Sequence, residues 1–191
     1  MKVLGSAMGM GLTLILLSSG GTGAVTEIIK GADVRADPKT VKAILATFDR
    51  MEEALRTENL SGMMVLYSGS YRHRGLRKED TARIWEDIFD RYNRLSSRHA
   101  FSRIVVEKQT IRKLFREPRA IAACTGALFG VSALKEGKPP SMAATTEPTH
   151  LDVWFETNHY LVLEDGVWKI IGHDPAAGEE DSLGAAIHLL F

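Results

Sequence analysis

Asp165-Gly166 stands between two runs whose apolar residues alternate, with Leu161 and Leu163 before it and Trp168 and Ile170 after it. This dipeptide tolerates the positive φ angles of a two-residue hairpin turn, so the stretch predicts an antiparallel β-hairpin. Such a turn sets a register in which Glu164 faces Val167, Leu163 faces Trp168, Leu161 faces Ile170 and His159 faces Gly172. One sheet face then carries Val153, Phe155, Leu161, Leu163, Trp168 and Ile170, with Thr157, His159 and Asp174 on the same face away from the turn. The opposite face carries Trp154, Glu156, Asn158, Tyr160, Val162, Lys169 and Ile171. A sheet with one strongly apolar face needs a second layer to cover it.

The amino-terminal half supplies that layer. Asp37 can cap a helix whose first turn holds Pro38, where a missing N–H costs nothing. Val41, Ile44, Leu45, Phe48, Met51 and Leu55 then recur every three or four residues and form one apolar stripe. Asn59 can cap a short second helix bearing Met63, Met64 and Leu66. A turn-rich stretch over 68–75 contains Tyr71 and His73, and a third helix over 78–93 has Ile84, Trp85, Ile88, Phe89 and Tyr92 on its stripe. Beyond Ser97 the pattern becomes β, with strands expected over 101–115, 120–134, 150–163 and 167–173 and a long loop over 135–149. Three helices followed by four to six antiparallel strands make an α+β domain.

The organisation read from this pattern is a signal peptide over 1–24, a tether over 25–37, a domain over 38–174, and an acidic tail with an apolar end over 175–191. Lys2, the apolar stretch 3–17 and the small-residue exit Thr22-Gly23-Ala24 have the form of an export signal. The stretch is shorter than the roughly 20 residues that span a bilayer. These features predict an exported chain, periplasmic or secreted, that starts near Val25 and keeps no integral membrane span. The 24 basic and 24 acidic residues cancel, which argues against nucleic acid as a partner. Their distribution is uneven: residues 72–119 hold 14 basic and 7 acidic, and residues 120–191 hold 3 basic and 10 acidic. Cross-strand pairing of opposite charges accounts for such a split, and a basic groove for an anion is the alternative. Cys124, the single cysteine, lies in an apolar strand pattern and reads as a buried, inert thiol.

The helix stripe from Ile44 to Leu55, the helix from Ile84 to Tyr92 and the run Asp165-Gly166-Val167-Trp168-Lys169-Ile170 together resemble the nuclear-transport-factor-2-like superfamily, its SnoaL-like members in particular. The resemblance covers roughly 38–174 and implies a cone in which a curved antiparallel sheet wraps the three helices. It implies an interior pocket whose mouth lies near Tyr71 and His73. The superfamily includes isomerases, dehydratases, polyketide cyclases and epoxide hydrolases alongside non-catalytic binding and dimerisation domains. Members resembling ketosteroid isomerase carry a tyrosine on the first helix. Here that helix has Phe48 and no tyrosine, which favours binding of a small apolar molecule or a protein partner over that chemistry.

His159 is the one candidate base on the apolar strand face. With Asp174 to orient it, it has the makings of a general acid or base in a cofactor-independent cyclase, isomerase or dehydratase. A core histidine satisfied by a carbonyl or a water is the competing reading. Tyr71, His73, Phe48, Trp85, Thr157 and Trp168 are the expected ligand-lining residues, with an ordinary surface turn the favoured reading for Tyr71 and His73 and plain core the favoured one for Trp85 and Trp168. No cofactor motif is present. His150 and Asp152 lie one strand step apart without an apparent third ligand, so no metal site is expected. Trp154, Tyr160, Val162 and Ile171 give the outer sheet face an apolar character suited to a homodimer contact.

Overall fold

The computed structural model describes residues 26–107, 117–132 and 148–174. The expected signal peptide, the tail over 175–191 and nearly all of the 135–149 loop lie outside the described residues.

Strand β1 (Thr26–Arg35) precedes helix α1 (Pro38–Arg56), helix α2 (Leu60–Met64), the short strands β2 (Arg72–His73) and β3 (Leu76–Arg77), and helix α3 (Lys78–Arg91). Four long strands follow: β4 (Tyr92–Val106), β5 (Arg119–Ser132), β6 (Thr149–Glu164) and β7 (Val167–Asp174). The main sheet has the order β1-β4-β5-β6-β7, and β2 and β3 form a separate hairpin. The sheet is mixed rather than wholly antiparallel, because β1 runs parallel to β4. The segment expected to be a tether is therefore an edge strand. Its register shifts between Ile28 and Asp33, near Gly31 at φ 88°, and most of its side chains are exposed on both faces. A bulged, solvated edge has no alternation for a sequence reading to detect.

Local chemistry fixes the helices. The Asp37 carboxylate accepts the N–H groups of Lys39 and Thr40 at 3.0 and 3.1 Å, satisfying two donors at the start of α1. Ile44, Phe48, Met51 and Leu55 are buried along the expected stripe. Asn59 caps α2 by accepting the Gly62 N–H at 2.8 Å. Asp80 accepts the Arg77 N–H at 3.0 Å where α3 begins, and Trp85 and Ile88 enter the core. Helix α3 ends at Arg91, two residues before its expected end, and the strand expected from residue 101 already begins at Tyr92.

The core lies between the three helices and one face of the sheet, with Phe48 of α1, Trp85 of α3, Phe101 of β4, Leu161 of β6 and Ile170 of β7 all fully buried. Two ties lock α1 to strands at opposite sides of the sheet. Glu52 accepts both the N–H and the hydroxyl of Ser97, at 2.7 and 3.0 Å, and the Thr47 hydroxyl donates to the Trp168 carbonyl at 2.8 Å.

Strand β6 departs from simple alternation, with consequences for the interior. Glu156 adopts φ 49°, and the pairing with β5 shifts between Trp154 and Thr157. The bulge reverses the facing of the residues just before it, up to a further shift between His150 and Asp152. Trp154, expected on the outer face, is buried at 3% exposure, and Phe155, expected in the core, is 57% exposed. Val162 is buried too, so the proposed outer apolar patch loses both Trp154 and Val162.

Candidate functional site

A second register shift sits between Tyr160 and Leu161 of β6. The turn-proximal pairs hold: Glu164 faces Val167, Leu163 faces Trp168 and Leu161 faces Ile170. Past the shift, His159 faces His173, while Gly172 faces Tyr160. The expected pairing of His159 with Gly172 is thus corrected. The glycine has a different use: a Cβ built on it would meet the Arg72 carbonyl oxygen at 2.6 Å, so its bare Cα lets β2 settle against β7. Asp174 pairs with Asn158 rather than with His159, which removes the register argument for an aspartate orienting that imidazole.

The two shifts and the β2–β3 hairpin bring four histidines inside. His73, His99, His159 and His173 are each at most 4% exposed. The rings of His159 and His173 meet edge to face at 4.7 Å, and those of His73 and His173 at 5.4 Å. Phe48 sits among them, 5.1 Å from His99 and 5.3 Å from His159. Trp154 reaches His99 at 5.3 Å, and Tyr71 reaches His173 at 5.9 Å. The Arg74-Gly75 turn, with both residues at positive φ, joins β2 to β3, and where β2 lies against β7 the His73 Nδ1–H donates to the His173 carbonyl at 2.7 Å.

Cys124 extends this cluster. The Trp154 Nε1–H donates to its Sγ at 3.3 Å, and His159 Nε2 lies 3.2 Å from the same sulfur. Burial pushes the thiol up to about 12, so it keeps its hydrogen. The thiol can donate its S–H to His159 Nε2 or accept from an Nε2–H, the direction following the imidazole tautomer. In either case His159 Nδ1 is a buried atom without a hydrogen-bond partner. Both ring nitrogens of His99 are likewise buried without a hydrogen-bond partner. Buried polar atoms without a protein partner are ordinarily met by water or by a ligand.

Electrostatically the interior is neutral. Burial holds His99 down at about 3, and burial with the neighbouring His99 and His73 holds His159 at about 3 as well. Burial, then His159 and His73, lowers His173 well below the ordinary value. Burial also raises Tyr71, with the Thr81 hydroxyl acting in the opposite direction. At neutral pH these imidazoles are uncharged, each with one N–H donor and one acceptor nitrogen. No three histidine, cysteine or acidic side chains among the described residues are grouped so as to hold a metal ion. His150 is exposed with its ring 4.6 Å from Phe129, whereas Asp152 is buried.

Of the residues singled out from sequence, the structure brings Phe48, Tyr71, His73 and His159 into one cluster. Trp85 joins at one remove, donating from Nε1 to the Tyr67 hydroxyl at 3.1 Å while the Tyr67 ring meets Tyr71 at 5.0 Å. Thr157 is buried opposite Cys124, one inward step from His159. Trp168 is buried nearer the turn, opposite Leu163. His99, His173, Cys124 and Trp154 are the additions. His99 had a usable signal, since Leu95, Ser97, His99 and Phe101 alternate inward along β4. His173 and Trp154 had none, because each depends on a bulge.

No protein-family model matches the sequence, and no curated protein matches it. Solved structures do. A conserved protein from Planctomyces limnophilus is 17% identical over 72% of this chain and 94% of its own, at a TM-score of 0.51. A protein of unknown function from Mycobacterium tuberculosis is 12% identical over 78% of this chain and 84% of its own, also at 0.51. A Nostoc punctiforme protein described as having a cystatin-like fold is 14% identical over 74% of this chain and 96% of its own, at 0.43. The chain spans only 41% of a Bdellovibrio bacteriovorus protein and 41% of the helical cell shape determining protein Pgp2 of Campylobacter jejuni. At these identities the likeness is one of fold.

Proposed function

Starting from a nuclear-transport-factor-2-like cone, we propose that this chain is a non-catalytic binding domain that takes a small, uncharged, ring-bearing molecule at the His99–His159 end of its interior. The observation that carries the reading is the set of three buried ring nitrogens, two on His99 and Nδ1 of His159, that have no hydrogen-bond partner. Neutral imidazoles can donate to or accept from a hydroxyl or carbonyl. Phe48, Phe101 and Trp154, all packed against the His99 ring, offer aromatic faces and edges to a flat ligand. A charged ligand would bring its desolvation cost into this setting with no opposite charge to offset it.

An acid–base enzyme would need a group that titrates near its working pH. His159, held at about 3, is a weak proton acceptor at neutrality, and its hydrogen-bond partner is a protonated thiol rather than a carboxylate. These two facts support the binding reading over catalysis.

Native mass spectrometry of protein purified from its own host tests the reading, together with NMR titration of phenol and cyclohexanone. The expected result is a co-purified small molecule, or amide shifts confined to residues around His99 and His159 that His99→Leu abolishes. A protein that carries no adduct, and whose interior amides are unmoved by either probe, would overturn it. The amino-terminal pattern of Lys2, the apolar stretch 3–17 and Thr22-Gly23-Ala24 supports export as part of the same proposal. Protein recovered from the host envelope or medium should begin near Val25.

A further inference from the structure

A concavity lies near the turn of the β6–β7 hairpin, away from the histidine cluster. Helix α1, helix α2, the start of α3 and the start of β7 enclose a groove of about 670 Å3. Its walls include Ala54, Val65, Leu66 and Val167, and Val65 is 59% exposed there, as large apolar side chains seldom are. Along the same groove stand Arg50, Lys78 and Lys169, against a single carboxylate, Glu53.

That carboxylate is already engaged. Arg56 grips Glu53 through two guanidinium nitrogens, the shortest contact being 2.6 Å. Lys169 is tied to Glu164 at 3.2 Å and to Asp165 at 3.4 Å. Arg50 and Lys78 have no such partner. Arg50 donates to the Ala46 carbonyl at 2.9 Å and to the Thr47 hydroxyl at 3.5 Å, and Lys78 donates to the Tyr67 carbonyl at 2.7 Å. Both use neutral acceptors. Burial and then the neighbouring Lys169 depress the Lys78 ammonium, while Glu164 and Glu79 act in the opposite direction. An anion placed between Arg50 and Lys78 would meet two side-chain cations held only by neutral acceptors.

We propose that this groove binds a small amphipathic carboxylate, with its head group between Arg50 and Lys78 and its apolar body along Val65, Leu66 and Val167. The volume falls within the range of about 300–1,000 Å3 typical of small-molecule sites. The site is separate from the histidine cluster, since its β7 residues flank the turn whereas His173 lies at the strand's far end. The two proposals therefore stand or fall independently.

The test uses decanoate below its micelle-forming concentration, with decanol as the uncharged probe of the same length and acetate as the head group alone. Isothermal titration calorimetry and amide shifts are read on the full chain. Decanoate is expected to bind with shifts centred on Val65, Lys78 and Lys169, at least tenfold more tightly than decanol or acetate, and more weakly as salt rises. Arg50→Gln should weaken it about tenfold, roughly the loss of 1.4 kcal/mol. Val65→Asp, at an exposed position, should abolish it while leaving the melting temperature within a degree or two. Lys78→Gln should behave like Arg50→Gln, and Arg50→Gln stands alone if loss of the Tyr67 contact unfolds the chain. Equal binding of decanol and decanoate, decanoate shifts centred on His99 and His159, or affinity unchanged in both Arg50→Gln and Val65→Asp would each overturn the proposal.

Discussion

Cys124 Sγ lies 3.2 Å from His159 Nε2, and this contact joins strands β5 and β6 inside the domain. It is a hydrogen bond between two neutral groups, since burial raises the thiol to about 12 and lowers the imidazole to about 3. A reactive cysteine–histidine pair works in the opposite protonation state, as thiolate and imidazolium. This thiol should therefore be silent. Ellman's reagent is expected to leave Cys124 untouched in native protein and to titrate one thiol only after denaturation. Stoichiometric reaction within minutes under native conditions would contradict the packing described.

The sulfur also serves the Trp154 indole, so its replacement orphans two buried groups. Cys124→Ala should cost about 1–3 kcal/mol for each atom left unsatisfied, partly offset by relaxation. Cys124→Ser keeps a donor and an acceptor at nearly the same place and should lose less. Urea denaturation of the pair separates the two cases, and equal losses would mean that the sulfur acts by volume alone.

Acid should destabilise this domain earlier than most. His99 and His159 are depressed in the folded state to about 3 from an ordinary value of 6.5, so the native protein binds fewer protons than the unfolded chain between those limits. Their contribution is fully present above pH 6.5 and is lost as pH falls towards 3. The slope is about 1.4 kcal/mol per pH unit for each imidazole that stays neutral. Denaturation midpoints measured from pH 8 to pH 4 should be flat above about 7 and fall steeply below 6. A flat profile down to pH 5 would show that the cluster is hydrated and free to protonate.

Adjacent aromatic residues on β6 give a direct reading of the Glu156 bulge. Trp154→Ala should cost about 3–5 kcal/mol, the usual range for a large buried aromatic. Phe155→Ala, at 57% exposure, should stay within about 0.5 kcal/mol of the parent. The reverse ranking in thermal melts would restore simple alternation through residues 153–157.

Gly172→Ala tests the seating of β2. Its methyl group would press on the Arg72 carbonyl oxygen, a backbone atom with little room to move, and such overpacking typically costs about 1–3 kcal/mol. Faster hydrogen exchange across Arg72 and His73 is the expected signature. Unchanged exchange there would separate Gly172 from the hairpin's position.

The sequence by itself determined the elements whose causes are local. Asp37 and Pro38 start α1, Asn59 starts α2, the stripe from Ile44 to Leu55 sets the buried face of α1, and Asp165-Gly166 sets the last hairpin with its first pairs. Each rests on contacts within a turn or two of chain, where periodicity and capping chemistry leave few alternatives. Tertiary structure decided whatever depends on a slipped register or a distant partner. A bulge in β6 at Phe155-Glu156 turned Trp154 inward, and one in β7 at Ile171 moved His159 from Gly172 to His173. Strand β1 exists because β4 offers it an edge, not because its own residues alternate. The histidine cluster is assembled from β2, β4, β6 and β7, elements separated by up to about a hundred residues, and only the closing of the sheet over Phe48 brings them within ring contact. Periodicity reports which side of an element is buried, but which buried side chains meet is fixed by register, and register is a property of the pair of strands.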